Sequence, residues 1–512
     1  MTRIPRKPIA ILVGAAAVLA PLAALASPAA ASTVPTSCTR YVTPGAPAGD
    51  GTTPGSPMSL ASLVSYANAG PRPGLVACLD GGSYGSATAE FNLRRGGDPT
   101  GPVSIVRNPA TGTDPVISGR LVVARGANNV VISKLKFVGP GAGTQSAFSI
   151  DANNVELIGN DFSSPNRICI SVGGGIRAVS ATLPKVTGFV ADGNKVHDCG
   201  TNLAKTGSPQ AHGFYLEYSQ GAVVRNNLIS NPVGRGVQLF NDADASLIEN
   251  NIFDHNFAAV NFGGGTGGSS AVDPRPENNI VRNNIVTNGV RWCNTDNVCQ
   301  RALFVQGNHE AAYVKPASTD PQTKAGATWG NVVGSNCVFL PNAAEAVAYN
   351  DWEPGYRYES TNTAVDPQYS NSAAGDFRLK PTSPCLGKGV RPAVRNVSAV
   401  ASANVVTAKA VVRSPWMTAS HRLQVRLCNS AVTSTASTTP CTGNWINGSV
   451  ASVIGTDVSV TQGVAGLLAN RIYEYRSVTW QALQAAPGSS VDYNASTQYW
   501  TASAPLKIKT TG

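Results

Sequence analysis

Phe189-Val190-Ala191-Asp192-Gly193-Asn194-Lys195-Val196, Val223-Val224-Arg225-Asn226-Asn227-Leu228-Ile229 and Leu247-Ile248-Glu249-Asn250-Asn251-Ile252-Phe253 are three versions of one phrase. Each is a short apolar strand, an asparagine and a second apolar pair. After a variable gap each is answered by another strand: Gly213-Phe214-Tyr215-Leu216, Gly236-Val237-Gln238-Leu239 and Ala259-Val260-Asn261-Phe262. Repeats of this size, spaced from roughly 24 residues upward, mark stacked rungs that bury their apolar faces only against one another.

Working outward, segments starting at Val130, Val155, Ile280 and Val332 fall into the same register. Asn160, Asn194, Asn227, Asn251, Asn284 and Asn336 then share one column, with Leu135 as the exception. Asparagine suits such a column because it tolerates a left-handed bend and its amide can stack on the same amide one rung away. These six residues are read as scaffold.

Composition agrees with an all-β chain. There are 52 glycines among 512 residues and 13% charged residues, so turn-rich strands are expected and long helices are not. Residues 1–31 read as an export signal: Arg3, Arg6 and Lys7, then an apolar run from Ile9 to Leu25, then Ala29-Ala30-Ala31. The protein is therefore expected to be secreted, with no membrane span after the signal is removed.

All ten cysteines follow the signal, so disulfides are the default in an oxidising compartment. The nearest pairs are Cys38 with Cys78, Cys169 with Cys199, Cys293 with Cys299 and Cys428 with Cys441, leaving Cys337 with Cys385. Sequence alone does not fix that connectivity. A net charge of +10 favours polyanionic partners such as acidic polysaccharide. No Lys/Arg block interleaved with aromatics is present, so nucleic acid is not expected.

Ahead of the repeats, Leu60-x-x-Leu63-Val64-x-x-Ala67 predicts a short helix covering the open end of the stack. Beyond Pro392 the asparagine pattern stops and period-two alternation takes over, as in Leu423-Gln424-Val425-Arg426-Leu427. The expected organisation is a signal (1–31), a repeat domain with its cap (32–391) and a β-sandwich (392–512).

The repeat resembles the right-handed parallel β-helix (solenoid) of the pectate-lyase-like superfamily over roughly Cys38 to Gly389. Gly49-Asp50-Gly51-Thr52 and Gly375-Asp376-Phe377-Arg378-Leu379-Lys380-Pro381 resemble the opening and closing segments of such secreted helices. The last segment, with Gly466-Leu467-Leu468 before the strand from Arg471 to Trp480, is similar to a fibronectin type III domain.

The strands after the variable gaps are expected to floor a groove, because unequal insertions at their edge build walls. Their alignment predicts an outward column of Ser149, Cys169, Tyr215, Gln238, Asn261, Phe304 and Ala348, and an entry column holding His212, Arg235, Ala258 and Arg301. His197-Asp198 and Asp254-His255 stand at loop starts expected near the same edge.

The resemblance implies β-elimination on a uronic-acid glycan, in which a base removes the proton α to a carboxylate and a cation offsets the developing charge. Candidate catalytic residues are His212, Tyr215, Arg235, His197 and His255. Gln238, Asn261 and Arg301 are candidates for substrate binding, and Glu217, Asp198 and Asp242 for a Ca²⁺ ion. Asn294-Thr295-Asp296 lacks the companion motifs of polygalacturonases and is set aside. The other reading is a non-catalytic surface or matrix protein that binds glycans along the groove, favoured by the lack of a complete catalytic signature.

Overall fold

The computed structural model describes residues 34–47, 49–141, 146–174, 184–202, 211–232, 234–240, 242–264, 275–290, 292–293, 299–300, 303–309, 328–340, 346–350, 355–482 and 500–512. The export signal, Arg301 and the side chains of Cys293 and Cys299 lie outside them.

Residues 40–364 wind into a right-handed β-helix. One sheet stacks eleven parallel strands, from Arg40–Val42 through Val190–Asp192, Val223–Arg225 and Leu247–Glu249 to Arg357–Tyr358. A second stack runs from Lys136–Val138 through Lys195–His197, Leu228–Ser230 and Ile252–Asp254 to Thr363–Ala364. The third runs from Phe148–Ile150 through Phe214–Leu216, Arg235–Phe240, Ala258–Gly264 and Leu303–His309 to Ala346–Asn350. Pro115–Val123 spans a corner, pairing with the second stack through Val116 and with the third through Leu121.

The core fills the space between the three stacks. Phe137 lies parallel to Phe162 at 4.7 Å and edge-on to Phe148 at 5.2 Å. Contacts of this geometry add about 1 kcal/mol each beyond burial. Helix Leu60–Asn68 caps one end, with Ser59 accepting the N–H of Ser62 and Leu60, Leu63, Val64 and Ala67 buried, as the spacing predicts.

The asparagine column runs along one corner. Asn160 Nδ2 donates to Asn194 Oδ1 at 3.0 Å, and the same bond continues through Asn227, Asn251, Asn284 and Asn336 to Asn362. Each ladder oxygen also accepts the backbone N–H of the preceding asparagine. Leu135 ends the column, its N–H donating to Asn160 Oδ1. The left-handed backbone expected at these asparagines belongs instead to the residue before each, as at Gly193 (φ 72°), Asn226 (φ 54°), Asn250 (φ 55°) and Asn283 (φ 54°). The bend is made there, which leaves the ladder residue free to turn its amide along the axis. A second, shorter ladder joins Asn279 Nδ2 to Asn331 Oδ1 at 2.9 Å.

Four disulfides are present among the described residues, Cys38–Cys78, Cys169–Cys199, Cys337–Cys385 and Cys428–Cys441. Three match pairs suggested by proximity in sequence, and Cys337–Cys385 matches the pair that those left over.

The C-terminal strands Ala393–Ala401, Val405–Leu427, Ile446–Ala465, Ile472–Gln481, Trp500–Ala502 and Leu506–Lys509 form one antiparallel, barrel-like sheet. Val405–Leu427 is long enough to serve two halves, pairing first with Ala393–Ala401 and then with Ile472–Gln481. This sheet is fastened to the helix. Met417, Phe377 and Val390 pack on Leu228, Ile252 and Ile285 of the second stack. Arg413 donates to Asp192 at 3.1 Å and to Asp457 at 2.9 Å, tying the C-terminal sheet to the first stack.

Candidate functional site

On the third stack the pairing register puts Ser149, Ser171, Tyr215, Gln238, Asn261, Gln306 and Tyr349 in one line. Three residues of the predicted column are thereby corrected. Cys169 precedes Ile170, the partner of Phe214; it is fully buried and bonded to Cys199. Phe304 is fully buried in the helix core, and Ala348 pairs with Val305 rather than standing beside Gln306. The reason is local: at this corner two successive residues, such as Ala259-Val260 and Phe304-Val305, both join the core, so strict alternation misplaces the outward position.

Tyr215, Gln238, Asn261 and Gln306 come from four successive rungs, each about 4.8 Å from the next. Asn261 Nδ2 donates to Gln238 Oε1 at 3.0 Å. Arg235, one rung from His212, extends past the small Ala258 to Gln306, donating from Nη2 at 3.1 Å and from Nε at 3.3 Å. The His212 and Tyr215 rings lie 5.5 Å apart, and Tyr215 stacks on Phe240 at 6.1 Å. His212, Arg235, Gln238, Asn261 and Gln306 are buried, while Tyr215 and Phe240 are half-buried at the rim.

His212 Nδ1 accepts the backbone N–H of Arg235 at 3.3 Å. Burial, with the Arg235 charge alongside, holds its pKa well below the ordinary value, so the ring is neutral. A neutral ring whose Nδ1 accepts carries its proton on Nε2, so His212 presents a donor. Asn261 Oδ1, by contrast, has no hydrogen-bond partner among the described residues although the side chain is fully buried. A buried amide oxygen left in this way costs about 1–3 kcal/mol until a donor reaches it.

The remaining candidates lie elsewhere. His197 is on the second stack, its Nε2 2.7 Å from Asp161 and its Nδ1 2.6 Å from Asp198. Burial pulls its pKa down, but the two carboxylates outweigh that and leave it raised. His255 sits in the turn after Ile252–Asp254, with Nδ1 2.7 Å from Asp254. Asp254 in turn accepts from Thr287 and Asn288.

The three carboxylates chosen for calcium do not form a cage. Asp198 accepts from Asn231 and contacts His197, while Asp242 is held by Lys185 at 2.7 Å at the other end of the third-stack strands. Glu217 lies near Ser171, both facing Gly174. No group of three His, Cys, Asp or Glu placed to hold a metal occurs among the described residues. Gln306, absent from the predicted column, also belongs to this line; its signal in the sequence was the amide side chain at the same position of the two preceding rungs, Gln238 and Asn261.

The fold and a described family coincide: residues 116–314 match the model of the right-handed β-helix region. No curated relative matches the chain in sequence. Among solved structures, the chain is similar to an alginate lyase from Paenibacillus sp. str. FPU-7, with 15% identity, 64% of this chain and 100% of that chain covered, and a TM-score of 0.40. It is also similar to the Dettilon tailspike protein (gp208), with 12% identity, 83% and 94% coverage and a TM-score of 0.32.

Proposed function

We propose that this is a secreted carbohydrate-active protein that binds a glycan over the third stack and cleaves an acidic, uronic-acid polymer by β-elimination. The observation that carries the reading is the line of Tyr215, Gln238, Asn261 and Gln306 on successive rungs of one stack, with the half-buried aromatic pair Tyr215 and Phe240 at its rim. Gln238, Gln306, Arg235 and the Tyr215–Phe240 face complete a surface of the kind that grips sugars, with polar tips beside aromatic planes.

In the reaction, Arg235 and the Nε2–H of His212 meet the uronate carboxylate and hold the charge that develops on it. Tyr215, ionised, takes the proton from the carbon α to the carboxylate. The electron pair forms a carbon–carbon double bond, the bond to the β oxygen breaks, and the phenol returns the proton to that oxygen. Atoms and charge balance without water, and no step is routed through a metal because Glu217, Asp198 and Asp242 do not converge. The C-terminal sheet, read as a fibronectin type III-like module, serves as a second contact to the polymer.

Incubating the full chain with polygalacturonate and with alginate tests this. Ultraviolet absorbance from the unsaturated product should grow, vanish in Tyr215→Phe and weaken in Asn261→Ala. Glycan binding without that absorbance would support the non-catalytic alternative, which the engaged Nδ1 of His212 favours. Neither binding nor product would end both readings.

A further inference from the structure

A second polar site lies away from the third stack, where the C-terminal sheet meets the helix. Here a cavity of about 300 Å³ is lined by Arg107, Lys134, Lys136, Asp114 and Asp161 of the helix, and by Ile454, Gly455 and Val458 of the C-terminal sheet. Its two carboxylates are already committed. Asp114 binds Arg107 at 2.8 Å, and Asp161 binds His197 at 2.7 Å. Lys134 and Lys136 are half-buried; neither ammonium makes a hydrogen bond or close ion pair among the described residues, and the charge of Asp161 on the adjacent rung acts on Lys136.

Lys134 is held in this position by the backbone. It occupies the left-handed bend before Leu135 (φ 59°), where the asparagine column ends, so its side chain leaves the helix at the cleft. Burial lowers its pKa, and Arg107 and Arg413 press in the same direction. Asp457 alone opposes them, and both oxygens of that carboxylate already accept from Arg413, at 2.9 and 3.0 Å. Cations gathered and partly dehydrated in this way repel one another unless an anion lies between them.

We propose that this interdomain cleft binds an oxyanion, with Lys134 and Lys136 as its ligands. The room available, at the lower end of ligand-sized cavities, takes a free sulfate or phosphate or the charged group of a single sugar rather than a length of polymer. Carboxylate, sulfate and phosphate share the chemistry. The site uses no residue of the glycan column, so it stands whether or not the elimination reaction is found.

The test is calorimetric titration of the full-length protein at low ionic strength with inorganic sulfate, inorganic phosphate and glucuronic acid. Saturable binding of at least one is expected, about tenfold or more weaker in Lys134→Met/Lys136→Met. It should be retained in Lys134→Arg/Lys136→Arg. Preference for glucuronate would point to a sugar acid, and preference for sulfate or phosphate to a tetrahedral anion. If the double methionine variant fails to fold, Lys136→Gln alone should weaken binding severalfold. Absence of saturable binding by all three probes, or equal binding by folded variants lacking the ammonium groups, would overturn the proposal.

Discussion

The Nδ1 atom of His212 accepts the backbone N–H of Arg235, and that bond decides what the histidine can do. The ring is neutral with its proton on Nε2. Nitrogen-15 NMR should show the Nε2–H tautomer persisting through neutral pH with no titration near the ordinary value. His212→Ala should leave the Arg235 N–H without an acceptor and lower stability by about 1–3 kcal/mol. A ring that protonates near pH 6.5 would refute this assignment.

The asparagine ladder should be costliest to break at its centre. Asn251 Nδ2 donates to Val224 O and Asn284 Oδ1, while Oδ1 accepts the backbone and side-chain N–H groups of Asn227. Asn251→Ala removes all four bonds in a dry interior, a loss of about 3–5 kcal/mol. Asn362→Ala, at the partly exposed end, should cost less than half as much in the same denaturant titration.

Arg413 joins Asp192 of the helix to Asp457 of the C-terminal sheet. Replacing it by Met leaves both carboxylates in the interface without it, a penalty of about 3–5 kcal/mol. Calorimetry should then resolve two unfolding transitions where the parent protein shows coupled unfolding. A single unshifted transition would mean that the apolar contact through Met417 suffices.

Acid should weaken the C-terminal sheet through His421. Burial pushes its pKa from 6.5 down to about 4, so between those values the unfolded chain takes up a proton that the folded one refuses. Stability is therefore complete above pH 6.5 and falls toward pH 4, by about 3 kcal/mol in all. His197 has the opposite sign: its raised pKa gives stability that is full below 6.5 and lost as the pH rises through the folded value. In His421→Met the acid slope should flatten, and in His197→Gln the loss on the alkaline side should disappear.

Much of the fold was legible because its strongest constraint is a side chain. An asparagine in the same place on every rung announces both the period and the stacking direction, and the capping helix follows from apolar spacing around Leu60 and Leu63. The site was less legible. Tyr215, Gln238 and Asn261 stand in the structure's column as in the predicted one, whereas at the next rung Phe304, a core residue with the apolar look of a strand, took the place that belongs to Gln306. The grouping of His197 and His255 with His212 also did not follow from sequence. Rung number was readable there, but the identity of the stack was not, and their aspartate partners engage them at the second stack.

All six side-chain bonds of the ladder from Asn160 to Asn362 point the same way. The amide dipoles therefore add, and the solenoid has a polarity that any single rung reproduces on both its faces. A duplicated or deleted rung would present the same donor below and the same acceptor above, so the interior is indifferent to rung number. Such a chain can change length in evolution without inventing an interface, and selection is left to act on the loops and on the outward column.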